Sequence, residues 1–300
     1  MKGREGKPRA PVARQSSFRT IAILTLAPVV ALLLFFAARF LVDVVRPAAD
    51  QTATATAPPV ESAVIAKTVP AASPPKRQAV ASRGDLVLIL DDVGFDRQPL
   101  EKAMEIDRNI NFAILPNAPR AAEVARSLNS GGFEILCHLP MEPVDGRNSP
   151  GDGAITTSMT EDQIVTATRD HVRSIPFARG VNNHMGSRAT RDERVMRSVL
   201  GALPAGVYFV DSRTTPDSVA ERIAKELKIP TAGRAVFLDD RQEEEAVRLQ
   251  LDKLTQAAAA SGTAVGIGHM YPVTIAVLRQ EIPRLRREGW RIRRASEVVQ

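Results

Sequence analysis

The chain has 300 residues, 44% of them hydrophobic and 25% charged, with a formal net charge of +6 and one cysteine, Cys137. A single cysteine excludes an intrachain disulfide, so stability has to come from a hydrophobic core. The positive balance is local: Lys2, Arg4, Lys7, Arg9, Arg14 and Arg19 face only Glu5 and supply +5 of the total, so the rest is nearly neutral and no nucleic-acid surface is indicated.

That basic tail, residues 1–19, precedes the run IAILTLAPVVALLLFFAARFLVDVV. Residues 20–45 carry no charge before Arg39, which suits the roughly 20 residues needed to cross a bilayer, and Arg39, Asp43 and Arg46 can snorkel at the far end. A signal peptide cleaved near Ala37 and Ala38 is the competing reading. The apolar run exceeds the usual signal core of about 7–15 residues, so a single transmembrane anchor is favoured. By the positive-inside rule the N-terminus is cytoplasmic and everything beyond Arg46 is external. Residues 46–84 are rich in Ala, Pro, Thr and Val without apolar periodicity, the composition of a semi-extended tether.

Residues 85–300 read as one α/β domain. Short β-branched or apolar runs alternate with helical patterns at intervals of about 30 residues, as in a parallel sheet or barrel. The predicted strands are 86–90, 110–115, 133–137, 180–184, 206–210, 235–239 and 263–268, with a short eighth from Trp290. Helical patterns fall between them, at 99–107, 120–129, 161–174, 191–203, 216–227, 243–260 and 272–288. Thr160 and Gln163 have capping-box spacing, and Thr215 before Pro216 places an N-cap residue ahead of a favoured first-turn proline. The long loop 139–158 is rich in Gly, Pro and Asn, and loops of that length are commonly functional or mobile. Seven or eight such units favour a (β/α) barrel, short or incomplete, over an open doubly wound sheet, whose glycine-rich first turn is missing.

In such barrels the chemistry gathers where strands end. The predicted strands end at or run into Asp91 with Asp92, His138, His184, Asp211 and His269. Two adjacent carboxylates at a partly buried strand end are costly unless a cation or hydrogen-bond donors compensate. The bland alternative is that Asp91 and Asp92 cap the turn before Gly94. Imidazole and carboxylate together suit zinc or another first-row divalent ion, with an open position for a water. The fourth histidine, His171, lies inside a helical pattern and is expected on the helix surface without a direct role. Cys137 precedes His138 but points the opposite way along a strand, so it reads as a small buried hydrophobe rather than a nucleophile.

At these residues the chain resembles the divergent polysaccharide deacetylases, relatives of a superfamily that removes N-acetyl groups from chitin-like glycans and peptidoglycan. The resemblance covers residues 85 onward through LILDDVGFD (88–96), EILCHLPMEP (134–143), GVNNHMGSRAT (180–190), YFVDSRTT (208–215) and GIGHMYPVT (266–274). It implies Asp91 as catalytic base, Asp92 and His138 as metal ligands and His269 as acid. The superfamily pairs two histidines four apart, but the residue four beyond His138 is Glu142. The third ligand is therefore His184 or Glu142, with His184 favoured as an imidazole on a neighbouring strand end. Asn183, Ser187, Asp211 and Arg213 are candidates for orienting ligands or substrate, with Asp211 and Arg213 as a charge-assisted pair. The superfamily's Arg-and-Pro third motif has no clear counterpart.

The implied function is a metal-dependent hydrolase, zinc being the first expectation, acting on a cell-envelope glycan or small N-acetylated sugar. Its expected place is the bacterial inner membrane, with the domain in the periplasm. The alternative is a non-catalytic glycan-binding or scaffold protein on the same fold. One Trp and two Tyr make an extended stacking groove for a long glycan unobvious.

Overall fold

The structure, a computed structural model, describes residues 82–300. The expected anchor at 20–45, the basic tail and nearly all of the expected tether lie outside them. Among the described residues no helix is long and apolar enough to cross a membrane.

The strands are β1 (Gly84–Val93), β2 (Asn111–Ile114), β3 (Glu134–Met141), β4 (Gly180–Met185), β5 (Tyr208–Asp211), β6 (Thr231–Phe237), β7 (Thr263–His269) and β8 (Trp290–Arg293). Between them run the helices α1 (Leu100–Met104), α2 (Ala121–Ser130), α3 (Glu161–Ser174), α4 (Glu193–Gly201), α5 (Ala220–Glu226), α6 (Glu244–Ser261) and α7 (Pro272–Arg287). Strands β1 to β7 pair in parallel in chain order, and β7 returns to β1 along its length, which closes a seven-stranded barrel. The other edge of β1 is shared. Residues Gly84 to Val87 pair with β8, and Ile89 to Val93 pair with β2. The eighth strand is thus a wedge at one end rather than a full stave.

Strand parity sorts the side chains. Leu86, Leu88 and Leu90 belong to the large cluster packed under the helices, while Val87 and Ile89 join Leu136, Val210, Val265 and Ile267 in a small cluster inside the barrel. Because β side chains alternate, the interior parity continues to Asp91 on β1, His138 on β3 and His269 on β7. Cys137 takes the other parity and is fully buried among the outer apolar residues, where burial pushes its thiol pKa up, as its position in the sequence predicts.

The chain after β8 folds back across the opening where the strands begin. Ala295, Val298 and Val299 pack on the interior cluster, and Gln300 exchanges two backbone hydrogen bonds with Thr231. Buried Glu134 fixes this segment, accepting from the Tyr208 hydroxyl at 2.8 Å, from Ser296 N at 2.7 Å and from the Ser296 hydroxyl. The Tyr208 ring packs against Gly180 so closely that a Cβ there would collide with it. Gly180→Ala is therefore expected to push Tyr208 off Glu134 and to cost about 1–3 kcal/mol, as overpacking does. A urea midpoint equal to wild type would contradict this.

Two predicted element starts are corrected. Strand β6 begins at Thr231, four residues before the predicted start, and α5 begins at Ala220 rather than Pro216. The second shift has a local cause: Thr215 Oγ1 accepts from Asp217 N, and Ser218 donates its hydroxyl to Asp211, so residues 215–218 form a turn tied to β5. The Thr160–Gln163 capping box at α3 is present.

Candidate metal centre and surrounding site

At the strand C-terminal ends, a cavity of about 430 Å³ is lined by Asp91, Asp92, His138, His184, His269, Arg234 and Phe237 among others. A larger open hollow of about 1060 Å³ beside α5 is lined by Arg213, Arg222, Lys225, Glu221 and Glu226, whose charges already pair with one another.

Asp91 reaches the cavity by strand parity, but Asp92, as its neighbour, would face outward in a regular strand. Two features turn it in. The β1–β2 register shifts between Leu90 and Val93, and Asp92 adopts a left-handed φ of 58°. Such a conformation is costly for a residue with a Cβ and needs external support. Gln98 supplies it, donating to Asp92 O at 2.7 Å and accepting from Gly94 N at 2.9 Å and Phe95 N at 3.1 Å.

Three potential ligand atoms then converge. Asp92 Oδ1 lies 3.0 Å from His184 Nδ1 and 3.3 Å from His138 Nε2, and the two nitrogens are 3.2 Å apart. Asp92 Oδ1 is buried, and no N–H points along either line to satisfy it. The tautomer of His138 follows from its surroundings. Asn182 donates its Nδ2 to Asp91 Oδ1 at 2.9 Å and to Ser212 Oγ at 3.3 Å, so its Oδ1 faces His138 Nδ1 at 2.9 Å and that nitrogen carries the hydrogen. In the neutral ring Nε2 is then a lone pair aimed at the same spot as the carboxylate. Ligand atoms held about 2.0–2.1 Å from a tetrahedral zinc stand roughly 3.3 Å apart. The donor set, its spacing and its unsatisfied oxygen therefore fit a divalent cation.

Charge perturbations concentrate here. Burial pushes the Asp91 carboxyl pKa up, helped by Asp92, and the surrounding imidazoles of His138 and His269 only partly offset it. Burial also acts to raise Asp92, but His138 and His184 outweigh it and hold that carboxyl well below the usual range. For His269 burial works downward, yet the hydrogen bond to Asp239 and the charges of Asp91 and Asp92 carry its pKa up to about 9. Asp239 Oδ1 lies 3.0 Å from His269 Nδ1, while its Oδ2 accepts from His269 N and the Thr274 hydroxyl, both at 2.7 Å. The Nε2 of His269 consequently faces the site, 3.7 Å from Asp92 Oδ2.

The structure brings Asp91, Asp92, His138, His184 and His269 together and leaves the remaining candidates at the margins. Glu142 is turned away: its Oε2 accepts from Thr157 N at 2.6 Å and the Thr157 hydroxyl at 2.7 Å, with Arg188 beside its Oε1. Ser187 accepts from Val144 N and so braces that same loop. Asn183 accepts from Ser212 N and donates to Met185 O, tying β4 to the end of β5. The expected Asp211–Arg213 charge pair does not form. Asp211 accepts from the Arg213 backbone N and the Ser218 hydroxyl, while the Arg213 guanidinium pairs instead with Glu221 on α5. His171 is not on the surface: it is buried, 2.8 Å from Gly153 O, because the long loop folds back over α3.

Sequence reasoning missed Asn182, Asp239, Gln98 and Arg234. Asp239 had a signal, a carboxylate after an apolar run like those at the other strand ends. Arg234 had none, since its guanidinium comes to the cavity from mid-strand, held by Ser212 O at 2.6 Å and Arg213 O at 2.7 Å over the Phe237 ring.

Known proteins resemble the chain in sequence and in fold. The chain is 34% identical over 200 residues to the uncharacterized protein YibQ of Escherichia coli (strain K12), a match covering 66% of this chain and 62% of that relative, so it spans less than two thirds of that protein's length. It is 36% identical over 199 residues to an uncharacterized protein of Haemophilus influenzae, covering 66% and 71%. Among solved structures it is similar to the uncharacterized protein ATU2773 from Agrobacterium tumefaciens C58, with a TM-score of 0.69 at 20% identity over 73% of this chain and 90% of the other, a likeness of fold alone. Residues 88–299, from the middle of β1 to the end of the barrel, match the family described as divergent polysaccharide deacetylase, and it is to this family that the chain belongs.

Proposed function

We propose that the chain is a metal-dependent hydrolase that removes N-acyl groups, in the first place acetyl, from an amino sugar of the bacterial cell envelope. In this reading residues 20–45 anchor it in the inner membrane, residues 46–84 form the tether, and the domain works in the periplasm. The observation that carries the chemistry is the triangle of Asp92 Oδ1, His138 Nε2 and His184 Nδ1 beside Asp91 and an Asp239-backed His269.

Asp92, His138 and His184 would hold the ion, zinc first. When bound, the ion supplies a Lewis acid that polarises the acyl carbonyl and acidifies a water. Asp91, made more basic by burial, takes the proton from the attacking water. His269, protonated at neutral pH and held by Asp239, gives a proton to the departing amine nitrogen through Nε2. One water is consumed, and a carboxylic acid and an amine are released.

The competing reading, a non-catalytic glycan-binding or scaffold protein, draws on a specific feature: among the described residues no Arg or Lys forms an ion pair with Asp91, which lies 3.5 Å from His138 Nε2 and accepts from Asn182. Acetate release from N-acetylglucosamine oligomers and from peptidoglycan separates the two. Release by the zinc-loaded wild type is expected to fall at least 100-fold in Asp91→Asn while zinc content is retained. Glycan binding without release in wild type would establish the binding reading instead.

A further inference from the structure

Asn182 sits on β4 at 0% exposure, and both polar atoms of its side chain are used. Its amide direction is not free. Asp91 Oδ1 accepts a hydrogen bond there, and Ser212 Oγ, whose residue is fixed through Ser212 N to Asn183 Oδ1 at 2.9 Å, takes the second hydrogen of Nδ2. The carbonyl oxygen is thereby committed to His138 Nδ1.

We propose that Asn182 is a positioning residue that selects the tautomer and ring orientation of His138, so that the Nε2 lone pair meets Asp92 Oδ1 and His184 Nδ1. The proposal rests on the reading of Asp92, His138 and His184 as metal ligands. Outer partners of metal-binding histidines of this kind change metal affinity by about 10–100-fold when removed. Leucine at 182 has no acceptor for His138. Aspartate keeps the acceptor, as a charged and stronger one, but has no donor for Asp91 and stands beside it as a like charge.

The test is zinc affinity of the full-length chain by chelator competition, together with the melting temperature of the zinc-free protein, for wild type, Asn182→Leu and Asn182→Asp. Asn182→Leu is expected to bind zinc about 10–100-fold more weakly. Asn182→Asp is expected to bind zinc at least as tightly as wild type although its zinc-free melting temperature falls. A structural role alone would move affinity and stability together, so equal losses of affinity in both variants would overturn the proposal, as would wild-type affinity in Asn182→Leu. Should Asn182→Leu fail to fold, Asn182→Asp decides by itself: zinc affinity kept despite lower stability supports the proposal, and affinity lost overturns it. If wild type binds no zinc, the functional reading fails, and nitrogen-15 spectra of His138 decide the inference separately. Read at a pH where the ring is neutral, a proton on Nδ1 with a bare Nε2 in wild type supports it, and a neutral ring with its proton on Nε2 or shared between the two nitrogens refutes it.

Discussion

Zinc at a thousandfold excess over its dissociation constant is expected to raise the melting temperature of the full-length chain by roughly 8–16 °C, and this rise is expected to vanish in His138→Ala and His184→Ala. A ligand that binds only the folded state stabilises by about 4.1 kcal/mol at that excess, and each kcal/mol is worth about 2–4 °C in a domain of this size. The large effect follows from geometry. The three ligand atoms stand on three different strands, β1, β3 and β4, so they converge only in the closed barrel and an unfolded chain offers no such site. Removing one imidazole leaves two protein ligands, fewer than the three that hold zinc in catalytic sites. Glu142→Ala is the control and is expected to keep the whole shift, because the Glu142 carboxylate serves Thr157 and Arg188. A shift lost in Glu142→Ala but kept in His184→Ala would reverse the assignment of the third ligand.

The second large effect is on stability. Phe209→Ala is expected to cost about 3–5 kcal/mol, a substantial part of the roughly 5–15 kcal/mol that holds a domain, and to lower the melting temperature by roughly 6–20 °C. Phe209 is fully buried on the outward face of β5, in the cluster that seats the helices on the barrel. Deleting its ring leaves a cavity that surrounding strands and helices cannot fill by small movements. Because it faces away from the cavity that holds His138 and His184, zinc affinity of the folded variant is expected to equal wild type. A loss under about 1 kcal/mol, read from urea midpoints at constant slope, would mean that the layer repacks.

Much of the barrel is legible in the sequence because its physics is local. Alternation alone orders Val87, Ile89 and Asp91, then Leu136 and His138, then Val265, Ile267 and His269, each series running from the barrel interior out to the site. What alternation cannot show is a departure from itself. Asp92 enters the site through a left-handed turn and a register shift, stabilised by a glutamine six residues on, and no pattern of two-residue period announces that. Asn182 escapes for a different reason: its importance lies in contacts 44 and 91 residues away in the chain. His171 carries helical spacing that suits solvent, and only the return of the long loop buries it. Asp239 closes the apolar run AVFLD much as Asp91 closes LVLIL, so alternation and strand-end position do mark it.

The segment across the strand starts has one more consequence. With Val298 and Val299 packed on the interior cluster and Gln300 paired to Thr231, the barrel is a well with one mouth. Whatever occupies the cavity at the strand ends therefore arrives and departs by the same route, and under the proposed function a long glycan would present a protruding side group from above rather than thread through.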